Sequence, residues 1–406
     1  MKPRDAFGPD WFVSPWNVGA DLETSRHITI HDTTLRDGEQ QAGIVLAPEQ
    51  KVAIARALEE LGVDRLEVGM IGSDPAEMDV ISRISETCRR ARIWAITSPS
   101  REKARLAASS GLSGIGVILF ANRQHRRVFG RDLDQSLAGA IETAQIIRDA
   151  GLETTLLLAD APRYLVSELA TVVERLADCG AFSGLAIMDT FGSLSPAGAS
   201  RLVSTMRSIA DIPLEFHGHN DFGLAVANSL SSFYAGANVI HTTVLGLGER
   251  VGNTPLEELV LASAILYGAQ SGIDLSKLTR VANLVRDETG IPVAPHKPVV
   301  GNRIYDVETA GIVSQMAKWG EMNEPMQWFF PYLPALVGGG PVNFVLGKGS
   351  GAASVERAAA RLGRPGIPDE TKERIASEVR RVARERRRDL TPAEFQELLV
   401  RFAGER

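Results

Sequence analysis

Two histidines separated by one residue are the first group in this sequence with the chemistry of a metal site. They are His217 and His219, in the segment HGHND. The residues before them predict a β-strand, and alternate residues of a strand face the same side. Two imidazoles on one face suit a divalent cation. Paired histidines are also common on protein surfaces and in cores, so the pair alone leaves both interpretations open.

A second segment, HDTTLRDGEQ, brings a guanidinium and a carboxylate next to each other as Arg36 and Asp37. A carboxylate at the end of one strand can share a cation with histidines from another strand if the two ends meet. The rigid fork of an arginine suits an oxyanion or a carboxylate. For either residue taken alone, a salt bridge within the loop is the simpler explanation.

A third segment, GLGERVGNTP, is rich in glycine and contains Asn253. Its glycines permit close approach of the backbone, and the amide oxygen of Asn253 suits a hard cation with mixed nitrogen and oxygen ligands. We expect Thr254–Glu257 to cap the helix that follows.

Elements that position these segments are short β-branched runs alternating with amphipathic stretches. Three predicted helices between the strands are Pro48–Leu61, Ser136–Ala150 and Val166–Cys179. The eight predicted strands are His27–His31, Asp64–Val68, Arg92–Thr97, Gly114–Phe120, Thr154–Leu158, Leu185–Met188, Leu214–His217 and Ile240–Leu245.

This alternation predicts right-handed βαβ units and a parallel sheet. Eight units match the size of a (β/α)8 TIM barrel, whose active sites lie at the carboxyl ends of the strands. A doubly wound open sheet is the competing fold, but it usually has fewer strands, and no GxGxxG follows the first strand. In a closed barrel the first strand lies near the seventh and eighth, so the three segments would meet.

The pattern changes after the barrel, where a smaller, mostly helical C-terminal region is expected. A helix at Leu278–Glu288 is followed by a proline-rich stretch, and Thr391–Glu394 reads as a capping box. The predicted organisation is an N-terminal arm at 1–26, the catalytic barrel at 27–275, a post-barrel subdomain at 276–365 and a C-terminal helical segment at 366–406.

Composition narrows the class of protein. The net charge of −6 gives no basic excess for nucleic acid. No run of apolar residues is long enough to cross a membrane, and we find no signal peptide. Two cysteines, Cys88 and Cys179, in a chain of 406 residues indicate reduced thiols and a cytoplasmic location.

The three segments together resemble the signatures of a known family. DTTLRDGEQ, HGHNDFGLAVANS and GLGERVGNTPLEEL are similar to motifs of 2-isopropylmalate, homocitrate and citramalate synthases of the DRE-TIM metallolyase superfamily. The likeness resumes at HKPVVG and FVLGKGSG, which resemble the post-barrel subdomain of 2-isopropylmalate synthases.

The resemblance implies roles for particular residues. Arg36 would polarise the keto oxygen of a 2-oxo acid, and Thr190 would hold its carboxylate. Glu67 and His125 match polar positions of the family's pocket, although an internal salt bridge and a surface location, respectively, also explain them. The implied metal ligands are Asp37, His217, His219 and Asn253, and the implied substrate-binding residues are Gln40, Glu67, His125 and Thr190.

The sequence departs from the family where protons are transferred. Synthases carry a glutamate at the position of Ala159 and histidines at those of Val307 and Val313, and alanine and valine cannot transfer protons. The lyase branch has a catalytic cysteine in the loop after the eighth strand, and GLGERVGN has none. The remaining candidates for acid–base catalysis are Asp160, Tyr305, Asp306, Glu308 and His125.

Three functions follow from these observations. The first is a synthase that joins an acyl-CoA, in first choice acetyl-CoA, to a 2-oxo acid with a bound Mg, Mn, Zn or Co ion. The second is a CoA-independent aldolase or lyase acting on a 2-oxo or 2-hydroxy acid, because the metal motifs are intact while acid–base positions are lost. The third is a metabolite-binding protein without catalysis. By resemblance we also expect a homodimer.

Overall fold

The computed structural model describes residues 8, 10–17, 26–72, 74–322 and 326–404. The chain divides into two compact units. The barrel unit is Gly19–Val293, and the C-terminal unit combines Met1–Val18 with Ala294–Arg406. The predicted boundary at 275 stays a prediction. The helix that starts at Leu278 lies within the barrel unit.

Eight parallel strands close into a barrel, which confirms the predicted fold. Neighbouring strands pair in sequence order, and the first closes on the eighth through Thr29↔Val239 and Asp32↔Thr242. The strands are β1 Thr29–Asp32, β2 Arg65–Met70, β3 Arg92–Thr97, β4 Gly114–Leu119, β5 Glu153–Leu158, β6 Gly184–Asp189, β7 Leu214–Gly218 and β8 Ala237–Thr242.

Helices surround the strands in the alternating order that the sequence predicts. Pro48–Leu61 and Val166–Cys179 have the predicted bounds, and the predicted Ser136–Ala150 begins and ends slightly earlier. The helices of the barrel unit are α1 Pro48–Leu61, α2 Pro75–Thr87, α3 Arg101–Ala108, α4 Arg123–Phe129, α5 Leu133–Asp149, α6 Val166–Cys179, α7 Pro196–Ile209, α8 Ala225–Ala235, α9 Leu256–Ala262 and α10 Leu278–Thr289.

The end of the eighth strand differs from the prediction. The strand was expected at Ile240–Leu245, but β8 ends at Thr242, and a tight turn at Val244–Gly246 follows. Leu245 has a φ of 61°, in the left-handed region, and its N–H donates to the carboxylate of Glu257. This hydrogen bond stabilises the turn where the apolar sequence indicated a strand.

The predicted cap of the next helix is wrong. α9 has Pro255 at its N-cap and no side-chain capping bond. Thr254 instead donates to Gly218 O (3.3 Å) and lies 2.8 Å from the hydroxyl of Ser229, within the barrel unit. Its hydroxyl therefore joins the loop after β8 to β7 and α8.

Within the C-terminal unit the fold is mostly helical, as expected. Two hydrophobic clusters form its core, one built on Val355, Ile375 and Leu399 and the other on Val313, Met316 and Phe330. Its elements are β9 Asp306–Val307, β10 Asn343–Phe344, α11 Ala310–Glu321, α12 Ala352–Arg361, α13 Asp369–Arg386 and α14 Pro392–Ala403.

One local prediction is confirmed in this unit, since Thr391 forms a capping box with Glu394 at the start of α14. The N-terminal arm at 1–26 stays a prediction, because much of it lies outside the described residues. In its described part Phe12 N donates to Pro331 O, within the same unit. In the described part of the chain no helix is long and apolar enough to span a membrane.

Candidate metal centre and active site

Three buried side chains converge at the carboxyl ends of β1 and β7. Asp37 lies in the turn after β1, His217 lies on β7, and His219 follows it directly. His217 Nε2 is 3.5 Å from Asp37 Oδ2 and 3.4 Å from His219 Nε2, and His219 Nε2 is 3.9 Å from Asp37 Oδ2. Ligand atoms about 2.1 Å from one cation lie about 3.0–3.5 Å apart. Two of the three separations lie in this range and the third is slightly wider, so a small inward shift of His219 would let the three atoms bind a single divalent ion.

Burial sets the protonation state of this group. Burial lowers the pKa of His217, and it lowers the pKa of His219 to about 4, with the neighbouring His217 adding to the effect. Burial alone would raise the pKa of Asp37, but Arg36 and the two histidines hold it well below its ordinary value. Near neutral pH the set is therefore one carboxylate and two neutral imidazoles, the forms that bind a cation.

Arg36 is held in place by two carboxylates. Its Nε donates to Glu67 and its Nη1 donates to Asp37 Oδ2 at 2.9 Å. Its Nη2 is buried and has no hydrogen-bond partner among the described residues. Arg36 outweighs the effect of burial on Glu67 and lowers the pKa of that carboxyl. The guanidinium is thus fixed in direction, with Nη2 left to donate to a ligand.

The loop after β8 places Asn253 against the same aspartate. Asn253 Nδ2 donates to Asp37 Oδ1 (2.9 Å) and Leu247 O (3.0 Å), while its buried Oδ1 has no partner among the described residues. A Cβ on Gly248 would lie 2.1 Å from Asn253 Nδ2, and one on Gly252 would lie 1.7 Å from Gly246 O. Both glycines also have positive φ angles. The loop can approach the aspartate this closely because these side chains are absent.

A cavity of about 690 Å³ opens beside Arg36. It extends over the ends of β2, β3 and β4 towards α4 and α5, and Gln40 and His125 also line it. The structure therefore brings Arg36, Gln40 and His125, three of the predicted site residues, to one cavity. Glu67 lies beneath Arg36, where its carboxylate also contacts His31 Nε2 at 3.3 Å.

A chain of polar side chains runs from β5 to the cavity. Asp160 is the second residue after β5, is buried, and accepts a hydrogen bond from Asn122 Nδ2 at 2.5 Å. Asn122 Oδ1 is 2.7 Å from His125 Nδ1 and also accepts the backbone N–H groups of Gln124 and His125. Burial raises the pKa of Asp160. Thr190 joins this group because its hydroxyl oxygen accepts the N–H of Asp160 at 2.8 Å.

Asn122 is a residue that the sequence analysis missed. It follows β4 and caps α4, so the available signal was an asparagine at the carboxyl end of a predicted strand, three residues before His125.

A second buried group was also missed by the sequence analysis. His31, Glu215 and His241 offer ligand atoms within 4.8 Å of one another. Glu215 is bonded there to Arg65, Thr155 and His241, so its carboxylate is already neutralised.

Tyr305, Asp306 and Glu308, the other candidates for acid–base catalysis, lie in the C-terminal unit. Glu308 accepts the N–H of Gly349 at 2.5 Å, and burial raises the pKa of Tyr305. Val307 and Val313 belong to the hydrophobic core of that unit, and Ala159 belongs to an apolar cluster in the barrel. Where relatives of the resembled family carry polar groups, this chain therefore packs apolar surface.

Comparisons with known proteins show what the chain is similar to. A family model described as HMGL-like matches residues 27–285. The chain is 32% identical over 377 residues to homocitrate synthase AksA of Methanothermobacter thermautotrophicus, covering 93% of each chain. It is 34% identical to a probable 2-isopropylmalate synthase of Ignicoccus hospitalis, covering 90% of each.

Among solved structures, a hydroxymethylglutaryl-CoA lyase of Pseudomonas aeruginosa aligns with a TM-score of 0.60 at 20% identity. The alignment covers 67% of this chain and 95% of the lyase. This likeness supports the barrel fold alone.

Proposed function

Since the chain belongs to the HMGL-like family, we propose that it is a divalent-metal-dependent synthase that condenses an acyl thioester with a 2-oxo acid. Acetyl-CoA is the first choice of acyl donor, and the product is a 2-hydroxy-2-alkyl dicarboxylic acid. The observation that carries this proposal is the convergence of Asp37, His217 and His219 beside the unpartnered Nη2 of Arg36. The relatives named above are called synthases, which favours condensation over CoA-independent cleavage.

The metal ligands in this proposal are Asp37, His217 and His219, with Asn253 Oδ1 as a further oxygen. A divalent cation there would act as a Lewis acid on a 2-oxo acid. Asp37 Oδ2 faces both imidazoles and also accepts the N–H of Arg36. One carboxylate would therefore hold both the cation and the guanidinium.

Arg36 would donate an N–H from Nη2 to the keto oxygen. Negative charge builds up on that oxygen when the carbon nucleophile attacks, so a fixed donor stabilises the transition state more than the ground state. Glu67 and Asp37 hold the guanidinium before the substrate arrives, so no reorganisation is needed. The hydroxyl of Thr190 already accepts the N–H of Asp160, and its own hydrogen remains to bind the substrate carboxylate.

We propose His125 as the base that removes a proton from the acyl methyl group. Asn122 Oδ1 accepts two backbone N–H groups, which identifies this atom as the oxygen. The neutral imidazole must then donate from Nδ1, so Nε2 keeps its lone pair. Asp160 bonds the amide nitrogen of Asn122 and fixes its orientation. His125 lines the same cavity as Arg36, where both substrates would meet.

The reaction balances with water as the only other reactant. His125 takes the methyl proton, the resulting enolate carbon bonds to the keto carbon, and the alkoxide oxygen accepts a proton. Hydrolysis of the thioester then releases free CoA and a carboxylic acid.

The first test is release of free thiol by metal-loaded enzyme with acetyl-CoA and a panel of 2-oxo acids. We expect thiol release that requires both a 2-oxo acid and the metal, with stoichiometric appearance of the hydroxy diacid by mass spectrometry. Absence of thiol release across several acyl-CoA donors, with the metal confirmed bound, would exclude the synthase. Cleavage of a 2-hydroxy acid without CoA would then identify a lyase.

A further inference from the structure

The barrel interior beside the metal centre is apolar on one side. A cluster of buried side chains, mostly from β3, β5 and β6, fills this side of the interior. Side chains from β2 and β4 pack against the cluster. Met188 pairs in register with His217, so both side chains point into the barrel and the cluster borders a proposed metal ligand. The members are Ile96, Leu157, Ala159, Ala186 and Met188, with Met70 and Ile118 partly buried against them.

This cluster forms part of the cavity that contains Arg36. Met70, Ile96 and Ile118 line both the cluster and the cavity. A 2-oxo acid bound with its keto oxygen at Arg36 would therefore have an apolar surface within the same space. Ala159 is fully buried in the same cluster, among the side chains that support this surface.

The charged residues that line the cavity do not belong to this apolar surface. Arg36 is engaged by Glu67 and Asp37, and its remaining nitrogen, Nη2, is the one assigned to the keto oxygen. Arg126 is engaged by Ala121 O and the carboxylate of Glu168. Arg131 is an exposed residue between α4 and α5, and Glu249 would repel an anion.

We infer that the enzyme takes 2-oxo acids with an uncharged, apolar side chain rather than 2-oxo dicarboxylic acids. The side chain lies on the surface formed by Met70, Ile96 and Ile118. This inference rests on the proposed function for the placement of the keto oxygen. It selects one substrate class from a family whose members act on several. The residues that select it are Met70, Ile96 and Ile118, which form the apolar floor of the cavity.

Binding can be measured without the acyl donor and therefore without turnover. The experiment is calorimetric titration of the Mn²⁺-loaded enzyme with 2-oxoglutarate and with 5-methyl-2-oxohexanoate, which replaces the distal carboxylate by an isopropyl group of similar shape. We expect the neutral acid to bind at least about tenfold more tightly, because an unpaired carboxylate loses its hydration on an apolar surface. A ratio near one, or tighter binding of 2-oxoglutarate, would overturn the inference.

The straight-chain series gives a second readout. From pyruvate to 2-oxobutanoate to 2-oxopentanoate, each added methylene is expected to tighten binding about fourfold if it is buried on this surface. A dissociation constant that stays flat along the series would contradict placement of the side chain there.

A matched pair of variants localises the effect. Ile118→Lys adds a cation at the cavity floor, and Val128→Lys adds the same charge on α4 at a position with 76% exposure. Ile118→Lys is expected to tighten the binding of 2-oxoglutarate and to weaken the binding of 5-methyl-2-oxohexanoate, by about tenfold each. Val128→Lys is expected to change neither dissociation constant. Equal effects of the two substitutions would show that the floor does not select the side chain.

The two proposals fail in different experiments. If no thiol is released with any acyl donor but the neutral acids bind more tightly, the synthase is wrong and the substrate class holds. If thiol is released preferentially with 2-oxoglutarate, the synthase holds and the substrate class is wrong.

Discussion

At the scale of single residues, the proposed chemistry depends most on one nitrogen of Arg36. Two of its three nitrogens are bonded to carboxylates, and Nη2 is buried without a partner in the described part of the chain. A buried donor without an acceptor destabilises a protein by about 1–3 kcal/mol. The presence of this donor beside a candidate metal centre therefore indicates that a bound ligand accepts its hydrogen bond.

Replacement of this guanidinium tests that role. Arg36→Lys keeps the charge but cannot bond Glu67, Asp37 and a ligand in the same fork geometry. We expect kcat for thiol release to fall by about 10²–10³-fold, with metal content by mass spectrometry unchanged. Arg131→Lys, in the same cavity but exposed, is the control. A kcat within a few-fold of the parent enzyme for Arg36→Lys would remove Arg36 from the transition state.

His125 gives a prediction that separates enolisation from condensation. His125→Ala is expected to lower kcat by about 10²–10⁴-fold and to abolish exchange of deuterium from solvent into acetyl-CoA. Added imidazole should restore part of kcat and part of the deuterium exchange, because the cavity would then admit a substitute base. His296→Ala, a histidine of the C-terminal unit, serves as the control. Full exchange activity in His125→Ala would redirect the search to Asp160, Tyr305 or Glu308.

Asp32 predicts a pH dependence of stability. Burial is the main cause that raises its pKa from 3.8 to about 7. The native state then keeps a proton that the unfolded state releases between these values, so the free energy of unfolding falls as pH rises towards 7. Above pH 7 the loss is complete, and the shift from 3.8 to about 7 sets its upper limit at about 4 kcal/mol.

The isosteric variant Asp32→Asn removes this proton exchange. It retains an oxygen for the N–H of Thr34, which Asp32 Oδ1 accepts at 2.9 Å. We expect urea unfolding to show a gain in stability over the parent at pH 8 that shrinks at pH 4. The exposed Asp178→Asn is the control. A difference that is constant from pH 4 to pH 8 would disprove the raised pKa.

At the scale of elements, the start of α14 shows how local sequence stabilises the C-terminal unit. Thr391 accepts the N–H of Glu394, and the Glu394 carboxylate accepts the N–H of Thr391 at 2.7 Å. The same carboxylate binds Arg386, the last residue of α13, and Arg388, which follows that helix. The capping box therefore joins two helices as well as starting one.

Loss of the cap should be measurable as stability. Thr391→Ala is expected to lower the free energy of unfolding by about 1 kcal/mol, because an N-terminal N–H of the helix loses its acceptor. Thr391→Ser keeps the oxygen and should stay close to the parent. If denaturant unfolding shows both variants alike, the cap contributes nothing and α14 is stabilised by packing alone.

Element boundaries also explain what the loop after β8 does. The chain leaves β8 at Thr242 and turns at once, which directs Asn253 back onto Asp37. A longer strand, as the apolar sequence suggested, would carry the glycine-rich segment past the metal centre. The early turn is thus part of the site.

For the whole molecule, metal binding and folding of the barrel unit are linked. The ligands come from the turn after β1 and the end of β7, which are adjacent only in the closed barrel. A cation that binds the folded state alone stabilises it by about 2.7 kcal/mol at one hundred times its Kd.

This linkage predicts how the melting temperature responds to metal. Removal of metal by a chelator should lower Tm by several degrees, and Mg²⁺, Mn²⁺, Co²⁺ or Zn²⁺ should restore it to different extents. His219→Ala should melt at the same temperature with and without metal. Persistence of the metal-induced increase in this variant would show that the cation binds elsewhere. The expected homodimer stays a prediction, to be checked by light scattering.

The sequence by itself determined the barrel and the group of residues at its carboxyl end. Strand and helix periodicity is a property of near neighbours, so Pro48–Leu61 and Arg92–Thr97 were predicted with the bounds that the structure has. The adjacency of β1, β7 and β8 follows from closing eight strands in order, which is why the sequence predicts that Asp37, His217 and Asn253 lie close together, as they do in the structure.

Only the tertiary structure decided how individual side chains are directed. Contacts between segments far apart in the chain decide that Asp160 orients Asn122, that Arg36 keeps Nη2 without a partner in the described part of the chain, and that Ala159 joins an apolar cluster. The end of β8 was also decided this way, by the hydrogen bond from Leu245 to Glu257. Local sequence does not encode such contacts, because each side chain satisfies its hydrogen bonds with whichever group the fold brings near it.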